Sequence, residues 1–230
     1  MSSVAISENG EVRGVFATGT SEDHSSRLFR QVEGLLREFS LKTSDFDVFA
    51  VSNGPGSFTG LRVGIAAAKA WGEVHNKPAF GISTLEAVAI QARAQSQMVV
   101  PVLDARRGQI YFGRYSLDEP LLSGSLQLNG DEEVASPEAF LASITAADWR
   151  DGTIISTDVS LARNLAQAFR AQHPRQRELL IDEASPVLAP FVAKAAHARA
   201  HRGEAADPLL LDANYVRRSD AEAKWKEPVR

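Results

Sequence analysis

A short apolar run, Val48 to Ser52, breaks at Asn53-Gly54-Pro55-Gly56-Ser57 and gives way to a long stretch of small and apolar residues, Phe58 to Val74. No other feature constrains the fold as tightly. Gly54 and Gly56 open backbone angles closed to other residues, Pro55 stiffens the turn, and Ser57 or Thr59 supplies a capping oxygen for the helix that follows. The pattern predicts a buried strand, a sharp loop and a helix with exposed amides at its start. Gly60, Gly64 and Ala68 recur every fourth residue, a ridge without bulk that lets another helix or strand come close. Internal packing and an interface would use such a ridge equally well. A P-loop nucleotide site is excluded, because Leu61-Arg62 stands where Lys followed by Ser or Thr is required.

The remaining chain alternates strand and helix patterns. Ser3 to Ile6 and Arg13 to Ala17 flank Glu8-Asn9-Gly10, and the Asn-Gly pair predicts a tight hairpin. Arg27 to Ser40 carries Leu28, Val32, Leu35, Leu36 and Phe39 at helical spacing, with Phe29 on the edge of the stripe. Ala79 to Ile82 reads as a strand, and Ser83 with Glu86 as a capping box for a helix reaching about Ala94. Strands are expected at Met98 to Leu103, Gln109 to Ser116, near Leu126 and at Thr153 to Ser156. Helices are expected after Ser136-Pro137, over Leu161 to Phe169, and from Pro186 to Arg202, where Pro190 marks a late start or a kink. This is an α/β pattern in two lobes sharing an interface, residues 1–95 and 96–230, the second ending in a polar tail after Asp207.

Composition narrows the function. The formal net charge of −4 argues against a protein that holds nucleic acid by its own surface. The absence of cysteine removes disulfides, thiolate metal sites and sulfur nucleophiles. Met1 to Glu8 shows no secretory pattern and no apolar run would span a bilayer, so a cytoplasmic location without membrane contact is expected.

Candidate chemistry is sparse. His197 and His201 share a helical face, but no Glu stands at the H-E-x-x-H position, so a solvated helix end is expected rather than metal. Asp104 with Arg106 and Arg107 forms a turn between apolar runs, either paired locally or contacting a nucleotide or partner at an interface. His24 precedes a helix, as a cap or a partner contact. Arg217, Arg218, Lys224 and Lys226 make a basic patch that reads as a solvated tail more readily than as a tRNA contact.

The segment Gly54 to Gly64 resembles the signature of the TsaB/YeaZ family. His24-Ser25, Ser83-Thr84-Leu85, Asp104-Ala105-Arg106-Arg107 with Tyr111, and Tyr215-Val216-Arg217 stand in family-like order, so the resemblance spans most of the chain. It implies two actin-like, ribonuclease-H-like lobes of the ASKHA type. It also implies a non-catalytic scaffold or activator in the formation of N6-threonylcarbamoyladenosine in tRNA. The implied partners are the catalytic paralogue TsaD and the ATPase TsaE, with tRNA reached through the complex and a homodimer formed in isolation. No cofactor is expected for the chain itself, and ATP or ADP would sit at the complex interface. The first two helices of the N-terminal lobe would meet the partner, nominating His24, Phe29, Val32, Leu36, Gly60, Gly64 and Ala68. No catalytic residue is nominated; the rival readings are an actin-like ATPase and a metallopeptidase acting alone. Two departures stand out: Ser26 where Glu is common, and no opening strand ending in Asp-Thr-Ser, through either a start codon placed too late or loss of the strand, and loss would leave a gap in the first sheet or an exposed edge.

Overall fold

Asn9 and Gly10 take positive φ angles of 53° and 83° and turn the chain between β1 (Ser2–Glu8) and β2 (Glu11–Thr18), an antiparallel pair. The computed structural model in which this is seen describes residues 1–19, 24–92, 98–117, 126–144, 152–174 and 179–217, and the side chains of His24 and Ser25 are outside the description. Helix α1 (His24–Glu38) lies across the hairpin. Its Gln31 is 1% exposed: the amide nitrogen donates to the Ser2 carbonyl and the Thr18 hydroxyl, both at 3.2 Å, and the amide oxygen accepts from the Ser2 hydroxyl at 2.9 Å. One polar side chain thus ties the open end of the hairpin to the helix.

The Gly-rich segment behaves as its residues require. β3 (Phe49–Gly54) leads into α2 (Phe58–His75), which Ser57 caps and Asn76, in the left-handed region at φ 52°, terminates. β4 (Ala79–Ser83) runs parallel to β3, and α3 (Thr84–Ala89) follows. Ser83 Oγ accepts from the amides of Leu85 and Glu86, but the predicted box is half made, because the Glu86 carboxylate turns to Arg199 at 2.6 Å. The helix also stops well short of Ala94. Gln91 folds back onto the Ala87 carbonyl and accepts from the Ser185 amide at 2.7 Å, which fixes the chain to a distant segment.

The second lobe is built on β5 (Met98–Arg106), β6 (Gln109–Phe112), β7 (Tyr115–Leu117), β8 (Leu126–Leu128) and β9 (Glu133–Ala135). α4 (Pro137–Ala142), β10 (Gly152–Ser156), α5 (Val159–Gln172), β11 (Leu180–Glu183) and α6 (Ala189–His201) complete the order. The sheet runs β11-β10-β5-β6-β9, with β7 bridging β5 and β8. The predicted strand from Gln109 to Ser116 is split in two at Gly113, where a Cβ would meet the Tyr115 ring at 2.9 Å. The short strands β9 and β11 carry no clear alternation and escape the sequence pattern. Val100, Val102, Phe112, Phe140, Ile154 and Phe169 form the core between this sheet and its helices.

Pro190 falls in the first turn of α6, so it starts the helix rather than kinking it. That helix packs on β1, β3, β4 and α3, and Leu211 is buried with Phe49, Leu61, Ile65 and Ala79. Residues 206–217 are therefore not a solvated polar tail: they return across the N-terminal lobe, where the Ala206 carbonyl accepts from Ala79 N at 3.1 Å. Arg218, Lys224 and Lys226 lie outside the described residues, as does the predicted boundary near Gln95.

The described strands of the N-terminal lobe do not form one sheet. The β1-β2 hairpin and the β3-β4 pair are separate sheets among the described residues. Between them lies a cleft of about 1020 Å³, walled by β1 and β3 and covered by α1, α2 and α6. β3 shows the consequence: its sequence reads as fully buried, yet only Phe49 and Gly54 are, and Ala50 to Asn53 are half-buried.

Candidate partner interface and lobe junction

α1 and α2 lie side by side. Phe29 packs edge-on against Trp71, with ring centroids 6.3 Å apart at 87°, yet stays 54% exposed. One turn further along α2, Val74 is 76% exposed. Trp71 itself is half-buried, packed on the N-terminal core beside Phe49, so the exposed apolar surface is that of Phe29 on α1 and Val74 on α2. Single exposed apolar residues are ordinary, but large ones on two adjacent helices fit a contact surface. Arg37 and Glu33, 2.6 Å apart on successive turns of α1, add a charged border.

The nominated residues divide. Phe29 faces solvent. Val32 and Leu36 are half-buried and line the cleft, as does Gly60. Gly64 faces Val51 of β3, whose Cγ2 would lie 2.9 Å from a Cβ at this position, and Ala68 is 3% exposed inside the N-terminal core. The small-residue ridge therefore serves the close approach of α2 to its own sheet. His24 opens α1, its side chain outside the description. Sequence reasoning passed over Trp71, which meets Phe29 where the two helices pair, and exposed Val74 one turn further on.

At the start of α2 a second cluster forms. The Arg62 guanidinium lies 3.8 Å from the centre of the Phe58 ring and donates from Nε to the Tyr215 hydroxyl at 3.1 Å, with Tyr215 stacked 5.6 Å from Phe58. Nearby in the chain's path, Arg217 donates to the Ala105 carbonyl at 3.0 Å. That carbonyl belongs to the turn of Asp104, Arg106 and Arg107, all exposed. Arg106 and Arg107 hold positive φ angles of 61° and 56°, and Asp104 Oδ1 steadies the turn by accepting from Arg106 N at 2.7 Å.

Where the lobes meet, Glu132 receives three side chains. Its Oε1 accepts from the Ser83 hydroxyl and, at 2.5 Å, from the Tyr115 hydroxyl; Oε2 accepts from Asn214 Nδ2 at 2.6 Å. Burial, reinforced by the adjacent Glu132 carboxylate, pushes the Tyr115 hydroxyl far above its ordinary range, so it remains a donor. Burial likewise raises Glu86, and the Arg199 pairing offsets part of that effect. Around these groups Leu85, Val88, Val99, Tyr115 and Ile155 form an apolar core shared by both lobes.

His197 and His201 stack at 6.0 Å on α6, and among the described residues no group of three or more His, Cys, Asp or Glu side chains could hold a metal ion. No helix among them is long and apolar enough to cross a membrane.

Residues 1–147 match the family model described as TsaD: tRNA N6-adenosine threonylcarbamoyltransferase. The tRNA threonylcarbamoyladenosine biosynthesis protein TsaB of Bacillus subtilis is 30% identical over 97% of this chain and 93% of its own length. The chain belongs to the TsaB/YeaZ family. The Escherichia coli TsaB is 33% identical over 59% of this chain and 58% of its own length. Among solved structures, YeaZ from Pseudomonas aeruginosa superposes with a TM-score of 0.69 at 26% identity, covering 93% of both chains. A second Pseudomonas aeruginosa structure, described as an uncharacterized protein with similarity to peptidase YEAZ, gives 0.72 at 27% identity over 94% of both. The α/β, ASKHA-like fold of the TsaB family is thus the fold of this chain.

Proposed function

We propose that this TsaB-family chain is a non-catalytic scaffold and activator in the formation of N6-threonylcarbamoyladenosine in tRNA, binding TsaD, which carries out the transfer. The observation that carries the reading is the exposure of Phe29 on α1, seated edge-on against half-buried Trp71, together with exposed Val74 on α2. A face of this kind is suited to another helical pair, with the aromatic side chains as anchors. TsaE and tRNA join through the complex, and ATP or ADP at its interface would meet the turn at Asp104, Arg106 and Arg107, a reading supported by the exposure of all three. The family relationship supports the pathway, since the Bacillus subtilis and Escherichia coli relatives are named as biosynthesis proteins of threonylcarbamoyladenosine.

The test is size-exclusion chromatography with light scattering on the chain mixed with TsaD of the same organism. A 1:1 complex is expected, weakened by about tenfold or more in Phe29→Asp, whose exposed site leaves folding intact. A Phe29→Asp protein that binds TsaD as the wild type does would contradict the interface. Gly64→Trp is unsuitable here, because the indole would collide with β3.

A further inference from the structure

Residues 212–217 run as a strap across the lobe junction, and their contacts alternate between the two lobes. On the N-terminal side, Asn53 Nδ2 donates to the Asp212 carbonyl at 3.4 Å, Asn214 N donates to the Asn53 carbonyl at 2.7 Å, and Tyr215 accepts from Arg62. On the C-terminal side, Asn214 Nδ2 reaches Glu132 and Arg217 reaches the Ala105 carbonyl. The Asn214 carbonyl also lies so close over Gly54, 2.5 Å from where a Cβ would be, that the strap seats only on a glycine at this point of the loop.

Glu132 differs from the other partners. It is a carboxylate, and the same group holds Ser83, at the end of β4, and Tyr115, on β7. Ser83 is also the cap of α3, so one side chain gathers the end of the N-terminal sheet, a strand of the C-terminal sheet and the strap. Hydrogen bonds to an ionised acceptor are about twice as strong as neutral ones, and a network around one acceptor fails together when that acceptor is removed.

We infer that Glu132 is a latch that holds the strap across the junction and, through Tyr215, fixes Arg62 and Phe58 at the start of α2. The second half rests on the proposed function, since α2 is then one of the helices that meets TsaD. With the latch open, Tyr215 leaves Phe58, Arg62 loses its acceptor, and the rim of the partner face changes shape and charge. The strap is a conformational device: it links the arrangement of the lobes to the surface presented to a partner.

Amide hydrogen exchange on the free full chain tests the latch. Glu132→Gln puts an amide where an anion accepted three donors, and Asn214→Ala removes the strap's contact while leaving Ser83 and Tyr115 on Glu132. Both should speed exchange at residues 212–216 by about tenfold or more and expose the bond after Arg217 to trypsin, with β10 unchanged. Strap exchange within about twofold of wild type in either folded variant would overturn the latch, and Asn214→Ala carries the test alone if Glu132→Gln fails to fold. Affinity for TsaD is then measured separately and should fall by about threefold or more in both variants. A loosened strap with unchanged affinity overturns the link to the partner face. A chain that binds no TsaD at all overturns the proposed function, while the exchange data still decide the latch.

Discussion

The two lobes solve the same packing problem with different means. In the C-terminal lobe β10 has a strand on each edge, parallel to β5 and β11, and all of its residues from Gly152 to Ser156 are buried. In the N-terminal lobe β3 starts on apolar Phe49, Ala50 and Val51 but, among the described residues, pairs with β4 alone, and its middle is half-buried beside the cleft. A strand's burial is therefore set by its neighbours as much as by its own residues. The N-terminal lobe makes up part of the difference with helix contacts and borrowed segments: α6 bridges β1 and β3, Leu211 enters the core, and Gln31 pins the hairpin. Such a lobe depends on its partners in the chain, whereas the second has a continuous sheet of its own.

The largest effect expected from this contrast is in the cores. Phe140→Ala, in the closed C-terminal core, should cost about 3–5 kcal/mol in urea unfolding, as full burial of a Phe implies. Val51→Ala, in the half-buried middle of β3, should cost about 1 kcal/mol or less, and equal losses would break the comparison. Native-state hydrogen exchange sharpens it next: amides of β1 and β3 should exchange about a hundredfold faster than those of β10. Uniform protection would show that the cleft does not loosen its walls.

A pH effect follows from Glu86, which ties α3 to α6 through Arg199. Its carboxyl is raised by burial, so the folded protein holds that proton more tightly than the unfolded chain does. The stability this contributes is fully present below the ordinary value of 4.5 and is lost as pH rises through the raised folded value. Glu86→Gln should flatten the fall in unfolding free energy between that point and neutrality; an unchanged slope would remove Glu86 as its source. The smallest effect is expected at the cleft wall. Ala193→Leu on α6 adds apolar bulk to the empty space and should stabilise by about 0.5–1 kcal/mol, read as a raised midpoint in thermal unfolding.

Local chemistry was legible in the sequence. Asn9-Gly10 specified the hairpin and Ser57, one of two caps the sequence offered, starts α2, while Pro190 left a start or a kink of α6 open and is its start. What periodicity could not supply was direction: Gly60, Gly64 and Ala68 make a ridge whichever side it faces, and only the position of Val51 shows that it faces inward. Of the nominated α1 and α2 residues whose side chains are described, Phe29 alone is exposed, because amphipathic spacing marks a buried stripe before it marks a contact. Gln31, Glu132 and Asn214 were invisible for a different reason. Their partners lie far along the chain, and a polar residue that will be buried by a distant donor looks like any other surface residue in sequence.

The central claim is that this chain activates threonylcarbamoyl transfer without performing it, and a reconstituted transfer assay on tRNA measures that directly. With TsaD and TsaE present, adding the chain should raise modified adenosine well above the level without it, and the chain alone should yield none. Transfer by the chain alone, or no increase when it is added to its partners, would contradict the account.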